Sequence, residues 1–149
     1  MKSRSLKARA VEYLSRREYS RTELGRKLAP HVETAEEIEE VLDFLESKGL
    51  LSNERFAASL VHRKASRLGT TRILHELRQH GIEGQQLGEL RSELRATEVE
   101  RARAVWEKRF GAVGLPQDEK EKARQIRFLA GRGFDHETIR KVLAHRDDS

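Results

Sequence analysis

Apolar residues recur along this chain at intervals of three and four, and polar or charged residues occupy the positions between them. Ile38, Val41, Leu42 and Leu45 follow the i, i+3, i+4, i+7 spacing that places four side chains on one face of a helix. Similar spacing continues over most of the 149 residues and predicts nine helices. No stretch alternates apolar and polar residues with β-branched enrichment, so no strand is predicted. The predicted fold class is all-α.

Local signals mark where several of these helices begin. A hydroxyl residue followed three positions later by glutamate, which is the capping-box pattern, occurs at Ser20, Thr34 and Thr97. These three boxes predict the starts of the second, third and seventh helices. Either Ser52 or Asn53 is expected to cap the fourth helix, since both side chains accept hydrogen bonds from the first turn.

One stop signal, Leu-x-x-x-Gly-apolar, occurs three times, at Leu45–Leu50, Leu77–Ile82 and Leu129–Phe134. The spacing is typical of a Schellman motif, in which glycine takes the left-handed position after the helix and the next apolar residue packs back on the leucine. Gly69 is expected to separate the fourth helix from a fifth that begins near Thr70. Helix starts near residues 5, 53 and 97 then divide the nine helices into three trios, with predicted domains at 5–51, 52–96 and 97–145.

The composition indicates thin helical layers with much solvated surface. Apolar residues make up 36% of the chain and charged residues 37%, and the net charge is +5. The charge alternates in blocks: residues 1–29 hold nine Lys or Arg and three acids, whereas residues 30–58 hold two and eight. Such blocks suggest an elongated body with separate basic and acidic faces. No apolar run reaches membrane-spanning length and no signal-peptide pattern is present, so a cytoplasmic protein is expected.

The sequence gives little support for catalytic chemistry. There is no cysteine, and the six histidines lack the i, i+4 spacing of a helical metal site. The acidic stretch Glu33–Glu46 is interpreted as a solvated helix face, since its interleaved apolar residues account for the inward side. The sequence therefore predicts a protein that is not an enzyme and has no cofactor, no metal and no catalytic residue.

Clusters of basic residues indicate the function more clearly than any catalytic pattern does. They can neutralise phosphates or contact an acidic protein surface, although each residue taken alone fits simple solvation or a favourable position at a helix C-terminus. Trp106 is interpreted as a core residue and not as a stacking platform. The candidate partner-binding residues are Arg63, Lys64, Arg67, Arg72, Arg101, Arg103, Lys108 and Arg109.

Three-helix units with short turns also occur in helix-turn-helix proteins, so an independent DNA-binding protein is the alternative hypothesis. A reading helix carries Arg, Asn, Gln or Ser on its outward face. The third helix is strongly acidic, and the sixth and ninth offer only a few basic residues among acids. No helix is a convincing recognition helix, which favours a protein-binding array.

The order of motifs along the chain closely resembles the RecX family, modulators of the RecA recombinase. The motifs are Arg16-Arg-Glu-Tyr-Ser-Arg-Thr-Glu-Leu24 with Lys27-Leu28, Gly49-Leu-Leu-Ser-Asn-Glu-Arg-Phe-Ala57, Arg67-Leu-Gly-Thr-Thr-Arg-Ile73 with Glu76-Leu77 and Gly81-Ile82, Lys108-Arg-Phe-Gly111, and Arg127-Phe-Leu-Ala-Gly-Arg-Gly-Phe134. Each motif is weak alone, but the ordered set is specific and covers essentially the whole chain. The chain departs from the family at Asn53, where aspartate is more typical, and at His80, where lysine is usual.

The resemblance implies three tandem three-helix repeats in an elongated, curved molecule. It also implies a regulator without enzymatic activity that binds RecA and the RecA–DNA filament and limits filament extension, ATP hydrolysis and strand exchange. The implied setting is recombinational repair and the SOS response. We expect a monomer, with at most weak nonspecific contact to DNA.

Overall fold

A computed structural model describes residues 5–144, and within this range the chain forms nine α-helices and no strand. The all-α prediction is confirmed. A single 3-10 turn, Ala29–His31, follows the second helix at Pro30. The helices are α1 Leu6–Arg16, α2 Arg21–Leu28, α3 Ala35–Ser47, α4 Asn53–Lys64, α5 Thr70–Gln79, α6 Gly84–Ala96, α7 Glu98–Phe110, α8 Glu119–Gly131 and α9 His136–Ala144.

Two of the three predicted capping boxes agree with the structure at least in part. Thr34 and Glu37 form the full reciprocal box at α3. The Ser20 hydroxyl accepts a hydrogen bond from the backbone N–H of Glu23, but the Glu23 carboxylate binds Arg17, with Nη2 to Oε2 at 2.6 Å. At α4 the Ser52 hydroxyl provides the cap, accepting from the Arg55 N–H at 3.1 Å. The neighbouring Asn53 side chain instead accepts from the Arg21 N–H at 2.8 Å.

The predicted capping box at Thr97 is wrong. Thr97 is the single residue between α6 and α7, and its backbone is not extended (φ −113°, ψ 8°). Its hydroxyl therefore donates back to the carbonyl of Leu94 and accepts from the Nε of Arg101 at 3.0 Å, and it makes no cap bond to α7. The short connection between the helices prevents the extended conformation that an N-cap residue needs.

The three Schellman stops are present. In each, the N–H of the apolar residue that follows the glycine donates to the leucine carbonyl, at 2.9 Å for Leu50, 3.0 Å for Ile82 and 3.2 Å for Phe134. The three glycines have φ between 74° and 97°. The apolar partner differs, because Ile82 and Phe134 are buried whereas Leu50 is 45% exposed. After the first stop it is the next residue, Leu51, that enters the core.

The chain divides into two compact units. One comprises the residues up to Leu60 together with Leu77–Glu83, and the other comprises Val61–Glu76 together with the residues from Gly84 onward. The first unit has a core cluster of Ala10, Tyr19, Leu24, Leu28, Leu42, Leu45 and Leu51. The second has a cluster of Ala102, Val105, Leu129, Phe134, Ile139 and Val142. The predicted end of the third domain, residue 145, lies outside the described residues.

The acidic face of α3 is partly engaged within the first unit. Arg21, at the start of α2, directs its guanidinium to the carboxylates of Glu39, Asp43 and Glu46 at 2.6, 2.9 and 2.6 Å. These three acids remain exposed, so the helix face is solvated as the sequence suggested, and it also ties α3 to α2. None of the helices within residues 5–144 has the length and the apolar composition of a membrane-spanning segment.

Candidate functional site

All eight predicted partner-binding residues lie in the second unit. They lie at the end of α4, in the turn that follows it, on α5 and on α7. Three of them, Arg67, Lys108 and Arg109, line one cavity of about 590 Å³. We call this cavity the basic groove. Its lining residues are Ser66, Arg67, Ala104, Val105, Lys108, Arg109, Phe128 and Arg132.

The groove follows from helical spacing on α7 and from the approach of two turns. Ala104 and Val105 lie four and three residues before Lys108, and this spacing places both of them on the same face of α7 as Lys108. The turn after α4 meets the end of α8, where the Gly69 N–H donates to the Arg132 carbonyl at 2.7 Å. The Arg132 guanidinium in turn donates to the Arg67 carbonyl at 3.3 Å. Two basic residues that are distant in sequence are thereby held side by side.

Arg132 is a groove residue that sequence reasoning missed. Its guanidinium lies 5.0 Å from the centroid of the Phe128 ring, and that of Arg109 lies 5.3 Å from the same centroid. Such cation–π contacts hold the charge over an aromatic surface. The local sequence signal for this contact is the four-residue separation of Phe128 and Arg132, which lies across a glycine-rich helix stop.

Among the eight predicted residues, Arg101 makes many contacts within the fold. It is half-buried, and its guanidinium makes five hydrogen bonds within the second unit. Three go to backbone carbonyls, of Ala65 at 3.0 Å, Leu68 at 2.7 Å and Leu94 at 3.0 Å. The other two go to the hydroxyls of Thr70 and Thr97. Burial lowers the pKa of this guanidinium, an effect that the nearby Glu98 carboxylate opposes.

Lys64 and Arg72 are also engaged within the fold. The Lys64 ammonium contacts both carboxylate oxygens of Glu76, at 2.9 and 3.1 Å, and both side chains are about three-quarters buried. Arg72 donates to the Gly131 carbonyl at 2.6 Å and so satisfies the end of α8. Arg63 and Arg103 are exposed on α4 and α7, and neither lines the groove.

Within residues 5–144 no group of three or more His, Asp or Glu side chains is arranged to hold a metal ion. The groove itself is lined by four cations and by no carboxylate. Its geometry therefore suits an anionic partner.

Comparison with known proteins identifies the family. Models described as the first, second and third three-helix domains of RecX match residues 7–45, 52–87 and 96–143. Proteins named Regulatory protein RecX from Ralstonia pickettii and Herbaspirillum seropedicae are 51% and 52% identical to the chain. The alignments cover 97% and 93% of this chain and 89% of each relative.

The fold is also found among solved structures. The crystal structure of RecX from Lactobacillus salivarius matches with a TM-score of 0.78 at 21% identity, over 93% of this chain and 92% of that one. A second crystal structure of regulatory protein RecX matches with a TM-score of 0.74, over 94% of this chain. With three domain matches in order and about half of all residues identical to its relatives, the chain belongs to the RecX family of regulatory proteins.

Proposed function

We propose that this protein binds RecA and the RecA–DNA filament and limits filament extension, ATP hydrolysis and strand exchange. The observation that carries the proposal is membership of the RecX family along nearly the whole chain. The protein acts by occupying the filament and not by catalysis, as a cytoplasmic monomer without a cofactor. Its setting is recombinational repair and the SOS response.

The basic residues of the second unit form the contact surface in this proposal. Arg63, Arg67, Arg103, Lys108 and Arg109 are exposed in the second unit. Arg101, Lys64 and Arg72 stabilise this surface through their contacts with backbone carbonyls or with Glu76. Weak nonspecific contact with DNA accompanies binding, as expected for a basic surface.

The boundaries 5–51, 52–96 and 97–145 remain our proposal for the three domains. The matched ranges 7–45, 52–87 and 96–143 support this division.

The test is an assay of RecA ATP hydrolysis on single-stranded DNA with substoichiometric amounts of this protein. Wild-type protein is expected to slow hydrolysis. The triple variant Arg67→Glu, Lys108→Glu, Arg109→Glu is expected to require about tenfold more protein for the same effect. Lys64 is left unchanged, because a glutamate there would lie against Glu76 and destabilise the fold.

Lys141→Glu is the matched control, since Lys141 is exposed on α9 and lies outside the groove. Unchanged RecA hydrolysis and filament length with wild-type protein would refute the proposed function. Sequence-selective binding to duplex DNA without RecA would instead favour the helix-turn-helix alternative.

A further inference from the structure

The basic groove combines two kinds of surface. Its lining includes the cations Arg67, Lys108, Arg109 and Arg132, which we call the rim. It also includes the apolar side chains of Val105 and Phe128, which we call the floor. A positively charged rim favours an anionic ligand, but a phosphate backbone makes no favourable contact with an apolar floor. The ligand that uses both is one with negative charges around an apolar group.

The arginines are already arranged for carboxylates. Arg109 and Arg132 both stand over the Phe128 ring, at 5.3 and 5.0 Å, and Arg132 is further fixed by its hydrogen bond to the Arg67 carbonyl. A planar guanidinium donates two parallel hydrogen bonds to a carboxylate, and holding it in advance reduces the entropy lost on binding.

The same contacts disfavour nucleic acid as the ligand. Proteins that hold single strands stack bases on exposed aromatic rings. Phe128 is only partly exposed, it contacts two guanidinium groups, and it packs edge-on against Phe110 at 5.4 Å.

We propose that the basic groove binds an acidic peptide segment of the partner protein, with one large apolar side chain on the floor formed by Val105 and Phe128. Flanking carboxylates of the segment pair with Arg109 and Arg132. The proposal rests on the proposed function and deepens it, because it states which chemistry of the RecA filament this surface recognises.

Ala104 allows the floor to be tested without changing charge. It is exposed on α7 and lines the groove, so Ala104→Phe fills the apolar space while the four cations remain. We expect affinity for RecA filaments on single-stranded DNA to fall about tenfold, as for loss of a central apolar anchor. Ala130→Phe, at an exposed position of α8 outside the groove, is the matched control and is expected to bind as wild type.

Photo-crosslinking identifies the ligand class. A benzophenone side chain is placed at Ser66, which lines the groove, or at Lys141, which does not. After irradiation on RecA filaments, the Ser66 derivative is expected to link to an acidic segment of the RecA polypeptide. The Lys141 derivative is expected not to link to that segment.

Three results would overturn the peptide assignment while leaving the proposed function intact. These are crosslinking of Ser66 to DNA, no crosslink from Ser66 while ATP hydrolysis is still inhibited, and unchanged affinity of Ala104→Phe. Failure of the wild-type protein to inhibit RecA would refute the proposed function itself, so the two failures are distinguishable.

Discussion

Arg101 is a cation that stabilises the turn after α4. Its guanidinium binds the carbonyls of Ala65 and Leu68 in that turn and the carbonyl of Leu94 at the end of α6. Removing it deprives the carbonyls of Ala65 and Leu68 of this donor, and each unsatisfied group costs about 1–3 kcal/mol. We therefore expect Arg101→Ala to lower the free energy of unfolding by about 3 kcal/mol, measured by urea denaturation.

The neighbouring Arg103 is the control for this prediction. It lies on the same helix but is exposed, and exposed substitutions change stability by about 0.5 kcal/mol or less. An Arg101→Ala variant as stable as Arg103→Ala would contradict the structural role of Arg101. Arg101→Lys is expected to restore little of the lost stability, because one ammonium cannot reproduce the planar guanidinium that reaches several acceptors.

Arg101 also shows what the sequence alone does not predict. Arg101, Arg103, Lys108 and Arg109 look alike on a basic helix, yet one is half-buried and two line the groove. The difference comes from residues more than thirty positions away, such as Leu68, whose proximity no local pattern encodes. The sequence thus shows which segments are rich in basic residues, but not which of these cations are engaged within the fold.

At the scale of elements, two glycines allow the turn after α4 to meet the end of α8. A Cβ added at Gly69 would lie 2.3 Å from the carbonyl carbon and oxygen of Gly133 and 2.4 Å from the N of Phe134. These are backbone atoms, so the clash cannot be relieved by a side-chain rotation. We expect Gly69→Ala to destabilise the protein by about 3 kcal/mol in urea unfolding, at the upper end of overpacking costs.

Gly131→Ala provides the contrast. Gly131 ends α8, and nothing lies within 4 Å of a Cβ built there. Alanine also favours helix more than glycine does, so the change is expected to be neutral or to stabilise by up to about 1 kcal/mol. Equal effects of Gly69→Ala and Gly131→Ala on the free energy of unfolding would show that the turn after α4 and the end of α8 do not approach closely.

Helix ends were the best-predicted elements, and the exceptions have a physical cause. The Schellman stops depend on five or six consecutive residues, so the sequence contains the whole signal. Gly69 was expected only to separate two helices, because its approach to Gly133 joins segments about sixty residues apart in sequence. Thr97 fits the capping pattern, but the single-residue connection between α6 and α7 excludes the required backbone conformation.

Asp135 links the start of α9 to the acid stability of the protein. Its carboxylate accepts from the Thr138 N–H at 2.9 Å and also pairs with Arg95, and these contacts hold its pKa below the ordinary value although burial opposes them. A carboxylate with a lowered folded pKa contributes stability above its unfolded pKa of about 4, and this is lost as pH falls through the folded value.

Asp135→Asn is therefore expected to weaken the loss of stability between about pH 5 and pH 2, since asparagine still caps the helix but does not titrate. Urea midpoints measured at several pH values test this. Asp135→Ala separates the two effects, because it also removes the cap and is expected to cost about 1 kcal/mol at neutral pH. Identical acid profiles for wild type and Asp135→Asn would contradict the role assigned to the carboxylate.

At the scale of the whole molecule, the middle domain is not self-contained. Its first residues bond within the first unit, where Asn53 accepts from Arg21 and Arg55 binds Glu18 at 2.9 Å. Its next residues bond within the second unit, where the carbonyl of Leu68 accepts from Arg101. The repeat visible in the sequence is a trio of helices, but the compact units divide the middle trio within α4 and within α5.

We therefore expect residues 52–96, produced alone, to lack stable helix in far-ultraviolet circular dichroism, although a family model matches most of this range. The isolated segment loses hydrogen-bond partners at both ends, and short helices are marginal without tertiary packing. Residues 97–149 are the control, because all six residues of the second core cluster, from Ala102 to Val142, lie within the segment. This segment is expected to retain helix, at reduced stability because Arg101 loses three carbonyl partners. A cooperative thermal transition of 52–96 alone would show that the repeat is also the folding unit, and the contacts of Asn53 and Leu68 would then be accessory to folding.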